Sequence, residues 1–110
     1  MEIKTKKIEG VTVVFVAGEI DAKTAPTLQQ QVIPLVEPGN KILLDLSNVP
    51  YMSSAGLRML LSLYRQITAK NVKLVLVGLV EEIKDTMSIT GFLSFFTTSE
   101  TMELGLQVLK

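Results

Sequence analysis

The sequence contains neither cysteine nor histidine. Without cysteine there is no disulfide and no thiolate nucleophile, which agrees with a cytoplasmic address. Without histidine, the commonest zinc ligands and the commonest general base are both missing. Charge of one sign is lacking too: 11 basic and 11 acidic residues sum to zero. Beyond Lys4-Thr5-Lys6-Lys7 there is no basic cluster to draw nucleic acid or an anionic membrane. Long hydrophobic runs are absent. The greasiest, Leu74 to Val80, is interrupted by Gly78 and falls far short of the roughly 20 residues a spanning helix needs. Met1-Glu2-Ile3-Lys4 has no apolar signal-peptide region. These absences predict a soluble cytoplasmic protein with no metal, no cofactor, no nucleic-acid partner and no membrane insertion.

What is present is apolar and patterned. With 47% hydrophobic residues in 110 positions, the chain predicts one compact domain over residues 1–110. A domain of this size buries about 60–70% of the surface its unfolded chain exposes, enough for a core without staples. Residues 2–8 alternate, Glu9-Gly10 offers a turn, and "VTVVFVA" (11–17) is β-branched and apolar throughout. The pair predicts an antiparallel hairpin whose second strand is buried on both faces. In "GEIDAKTAPTLQQQVIPLV" (18–36), Thr24 can cap a helix with Pro26 in its first turn and an apolar stripe of Leu28, Val32 and Leu35. Pro34 predicts a bend or an early end there. After the Pro38-Gly39-Asn40 turn, strands are expected at 41–46, 71–78 and 95–98. Helices are expected after residue 53, over 81–90 with Gly91 as a left-handed cap, and from a Thr98 or Ser99 cap to about Leu109. The order β-β-α-β-α-β-α-β-α predicts an α/β fold with a mixed, mostly parallel sheet and an N-terminal antiparallel hairpin.

One stretch carries chemistry. "DLSNVPYMSSAGLRMLL" (45–61) sets Ser53 and Ser54 between a strand and a helix. A nucleophile elbow would need Gly-x-Ser-x-Gly, which is absent, and there is no histidine to act as base; composition allows a Ser-Lys arrangement, but no Ser-x-x-Lys occurs near this turn. A nucleotide-binding P-loop would need Gly-x-x-x-x-Gly-Lys, and the segment has only Gly56. Helix capping needs one serine and contributes about 0.5–2 kcal/mol relative to alanine. The second serine is then free, and a helix N-terminus tolerates an anion. The residues alone leave capping and modification both open.

The same stretch resembles the signature of STAS domains in bacterial anti-sigma factor antagonists: an Asp-Leu-Ser strand end, a Ser/Thr pair, then Gly-Leu and a helix. "GEIDAKTAPTL" (18–28) resembles the Gly-Glu-Leu/Ile-Asp segment that follows the family's second strand. The resemblance extends over essentially the whole chain and implies a STAS-like fold. It also implies a partner switch. An unphosphorylated antagonist binds an anti-sigma factor that is itself a serine kinase and so frees the sigma factor; phosphorylation ends the interaction, and a serine phosphatase restores it. No catalytic residue is implied. Laid on this chain, the acceptor is Ser54, with Ser53 as the alternative, because Ser53 occupies the place of the family's usual Asp. Asp21 matches the family's acidic residue near the serine loop, although a helix-entry role explains it equally well.

The partner is expected over the serine loop and the adjoining helix: Asp21, Ser53, Ser54 and Gly56, with Arg58 as a polar contact and Met59 and Leu63 as apolar ones. The last two are chosen because a helical wheel puts Leu57, Leu60, Leu61, Tyr64 and Ile67 on the core face and leaves Met59 and Leu63 beside it. A wider core face would account for them as well. The competing function is a stand-alone STAS scaffold or transporter-complex subunit not controlled by phosphorylation.

Overall fold

The computed structural model describes residues 1–110. Strand β1 (Glu2–Ile8) and strand β2 (Val11–Ala17) form the antiparallel hairpin, in register from Glu2–Ala17 to Ile8–Val11. Glu9 (φ 51°) and Gly10 (φ 82°) make the two-residue turn, whose left-handed backbone matches the strand twist. Helix α1 (Ala25–Val32) follows, and the chain continues as a single 3-10 turn over Ile33–Leu35, where Pro34 withdraws its N–H from the helical ladder. Then come β3 (Lys41–Asn48), α2 (Ser54–Ala69), β4 (Lys73–Val77), α3 (Glu81–Ile89), β5 (Thr97–Ser99) and α4 (Met102–Leu109). The sheet order is β1-β2-β3-β4-β5, parallel throughout except for the β1–β2 pair.

Strand periodicity divides the core in two. Val14 and Val16, Ile42, Leu44 and Leu46, and Leu76 point to one face and join residues of α1, α2 and α3 in the main cluster. Val11, Val13, Leu43, Val75 and Val77 point to the other face and meet α4 through Leu109. Residues buried on both faces of β2, β3 and β4 explain why these strands read as unbroken apolar runs. Edge strand β1 carries Lys4, Lys6 and Lys7, all exposed, which disfavours pairing with another chain.

Strand β3 runs two residues past the expected 46, and β4 is shorter than the expected 71–78; two further departures are larger. "FFTT" is not a strand from residue 95. Gly91, left-handed at φ 80°, leads into a 3-10 turn over Phe92–Phe95, and pairing begins only at Thr97. Phe95 and Phe96 instead pack on Tyr64 of α2, each with ring centroids 5.5 Å from the tyrosine ring. That contact turns the chain away from the sheet edge. The final helix is capped by Thr101, whose hydroxyl accepts from the Leu104 N–H at 3.2 Å, and not by Thr98 or Ser99, which are committed to β5.

Candidate functional site

The loops that leave β2 and β3 are tied together by backbone. The ladder between the two strands slips after Phe15–Asp45, so that Ala17 pairs with Asn48. The Gly18 N–H then donates to Asn48 O (3.1 Å), the Ile20 N–H to Tyr51 O (3.0 Å), and the Ser53 N–H to Ile20 O (2.8 Å). Ile20 and Met52 form an isolated parallel bridge, and both side chains are buried. The Gly-Glu-Ile-Asp segment and the serine loop are thus one structural unit at the carboxyl end of the parallel strands, where open α/β sheets commonly carry their functional loops.

Each motif residue has a local reason. Asp45 Oδ1 accepts from the Ser47 N–H at 3.0 Å and from the Ser47 hydroxyl at 2.7 Å, bending the chain as it leaves β3. Asp21 Oδ1 accepts from the backbone N–H of Thr24 (3.0 Å) and of Lys23 (2.9 Å). In return the Thr24 hydroxyl accepts from the Asp21 N–H at 2.9 Å and donates to Glu19 O at 2.8 Å. This reciprocal arrangement closes the turn over Asp21–Thr24 that leads into α1. Thr24 stands at the N-cap position of α1 as expected, but its hydroxyl makes no capping bond into the helix. The donors from Thr24 and Lys23 hold the Asp21 carboxyl below its ordinary value.

The two serines take different places. Ser53 is extended (φ −78°, ψ 174°) and caps α2, its hydroxyl accepting from the Gly56 N–H at 3.4 Å. Ser54 is the first residue of α2; it is exposed, and no hydrogen bond engages its hydroxyl. Gly56 faces inward. A Cβ there would come within 2.6 Å of Met52 Cγ and 2.9 Å of Ile20 Cγ2, so glycine lets the helix settle on the bridge that joins the loops. It is buried and offers a partner no surface.

The helical wheel is corrected further along α2. Met59 (5% exposed) and Leu63 (0%) belong to the main core, so their selection as apolar partner contacts fails. The buried residues are Gly56, Leu57, Met59, Leu60, Leu63 and Ile67, so Leu57, Leu60 and Ile67 lie in the core as the wheel has them, while Leu61 and Tyr64 are only half-buried. The face left to solvent carries Ser54, Arg58 and Arg65 beside Leu61. A shallow groove of about 300 Å³ runs between α1 and α2, lined by Ala22, Pro26, Gln29, Ala55 and Arg58 among others. Gln29 Nε2 donates to Ser62 Oγ across it at 3.3 Å.

Tyr51 was passed over in the sequence. Its side chain is 51% exposed on the serine loop, two residues before Ser53. A large aromatic among turn-forming residues at a strand's carboxyl end was the available signal.

No group of three His, Cys, Asp or Glu side chains is placed to hold a metal ion. No helix is long and apolar enough to cross a membrane. What the loop presents is a free hydroxyl, an exposed arginine and an exposed tyrosine on a rigid base.

The family model of the STAS domain matches residues 2–104. The chain belongs to the STAS domain family. Among its STAS relatives, the anti-sigma-B factor antagonist of Bacillus subtilis is 31% identical over 107 residues, covering 97% of this chain and 98% of its own. The anti-sigma-B factor antagonist of Listeria monocytogenes is 35% identical over 92 residues, 83% of this chain and 80% of its own. The crystal structure of an anti-sigma factor antagonist from Mycobacterium paratuberculosis superposes with a TM-score of 0.87 at 28% identity, over 98% of this chain and 92% of that one. The fold expected of a STAS domain is the fold observed, from the N-terminal hairpin to the closing helix.

Proposed function

We propose that this STAS domain is a non-enzymatic anti-sigma factor antagonist: its unmodified form binds an anti-sigma factor that is also a serine kinase, and phosphorylation of Ser54 ends the binding. A serine phosphatase returns the domain to its binding form. The observation that carries the reading is the division between the serines. The Ser53 hydroxyl is engaged in the cap, while Ser54, one residue on, is exposed and unengaged. Relatives that are anti-sigma-B factor antagonists, covered over nearly their full length, support the partner class.

The physics of the switch follows from where the charge goes. A phosphoserine adds about −1.5 to −2 charges and three acceptor oxygens. At the first position of a helix this charge meets the positive end of the helix dipole, so the domain stays folded. The cost falls on the complex, in which a dianion would have to be desolvated against the partner. A 100-fold loss of affinity corresponds to about 2.8 kcal/mol, within the reach of one badly matched buried charge. The docking surface is the joined Asp21–Ser53 loops with Ser54, Tyr51 and Arg58. Gly56, Met59 and Leu63 support it from beneath.

Calorimetric titration of the anti-sigma factor kinase with unmodified and Ser54-phosphorylated domain tests the reading. We expect binding at least about 100-fold weaker for the phosphorylated form. Equal affinities would favour the unswitched scaffold instead.

A further inference from the structure

Arg58 stands four residues after Ser54 on α2, the spacing at which two helical side chains become neighbours on one face. Both are exposed. Arg58 has no ion-pair partner: the molecule's one ion pair, Lys110 with Glu9 at 3.5 Å, lies elsewhere. No hydrogen bond engages its guanidinium. Neither α2 nor α1, across the groove, contains an acidic residue. Of the acidic residues in the joined loops, Asp21 is turned onto the backbone N–H groups of Lys23 and Thr24, and Glu19 is exposed and makes no ion pair. A guanidinium is therefore held, unpaired, one turn from the hydroxyl proposed to receive phosphate.

We propose that Arg58 receives the phosphate of Ser54 within the same chain, forming an ion pair across the first turn of α2. The inference rests on the Ser54 reading and adds to it. An acidic group N-terminal to a basic one at this spacing is the favourable orientation, and a guanidinium meets phosphate oxygens with two parallel donors. Phosphorylation then acts twice on the docking surface. It adds a dianion, and it withdraws the charge and donors of Arg58 from any acidic group of the partner.

The test uses the full chain with phosphoserine genetically encoded at position 54, and follows the phosphate by phosphorus NMR as pH is varied. An unperturbed phosphoserine has its second pKa near about 6. Arg58→Gln is expected to raise the phosphate pKa by about 0.3 unit or more over the otherwise unchanged protein. Arg65→Gln is the control: its site lies about 16 Å from Ser54 along the helix axis, and the pKa should stay where it is. Identical titrations with and without Arg58 would overturn the pair. So would an equal effect of Arg65→Gln, which would mean a diffuse field and no specific contact. Because the phosphate is installed during synthesis of the chain, the result on Arg58 is read whether or not a cellular kinase uses Ser54. A wrong acceptor assignment shows itself separately, in protein isolated from cells.

Discussion

Asp21 joins the local chemistry of the loops to a measurable pH dependence. Its carboxylate accepts from two backbone N–H groups, and these hold its pKa below the ordinary 3.8. A carboxyl whose folded pKa is depressed contributes stability that is complete above its unfolded pKa and lost as pH falls through the folded one. Asp21→Ala should therefore unfold more easily than the parent at neutral pH. The gap should narrow only as pH falls below 3.8 and through the depressed folded pKa, as followed by urea melts of both proteins. A gap independent of pH would mean that the carboxylate charge contributes nothing. At the neighbouring loop, Ser53 and Gly56 illustrate how a motif can hold structural and functional residues side by side. Ser53 satisfies an N–H that would otherwise lack a partner, and Gly56 leaves room for Met52 and Ile20. Ser54 between them has no such duty.

At the scale of elements, α2 shows why a helix can be recognised before its orientation is known. Its presence and its start at the serine pair follow from the sequence, because an apolar stripe of period 3.6 and an N-cap residue are local signals. Its rotation does not follow, because Gly56 lies at the centre of the buried stripe and carries no hydrophobic weight on a wheel. Phased on Leu57, Leu60, Leu61, Tyr64 and Ile67, the wheel is rotated towards Leu61 and Tyr64 and assigns Met59 and Leu63 to a partner. Their burial gives a direct expectation. Leu63→Ala, at a fully buried site, should lower the stability of the domain by about 2–5 kcal/mol in a denaturant melt. A loss below about 1 kcal/mol, as for an exposed side chain, would restore Leu63 to the surface. The start of the strand expected at 95–98 is misplaced for a related reason. Two phenylalanines read as strand in isolation, and only the aromatic contact with Tyr64, remote in sequence, turns them away.

Across the whole molecule, the legible parts were those fixed by short-range rules. The hairpin came from Glu9-Gly10, the double-faced burial of β2 to β4 from unbroken apolar runs, the early end of α1 from Pro34, and the exit of α3 from Gly91. The candidate site was legible as two motifs but not as one unit. Its unity depends on the hydrogen bonds that Ile20 exchanges with Tyr51 and Ser53, across more than thirty positions of sequence. With three helices on one face of the sheet and one on the other, the carboxyl ends of β2 and β3 hold these loops on a packed base. Such a base lets a single covalent change be read by a partner without refolding the domain. The central claim is that Ser54 is the residue so changed, and site-localised mass spectrometry of the protein isolated from its own cells under phosphatase inhibition tests it most directly. The account predicts a single phosphate, confined to Ser54 and absent from Ser54→Ala. Phosphate confined to Ser53, or no phosphate with or without stress, would contradict it.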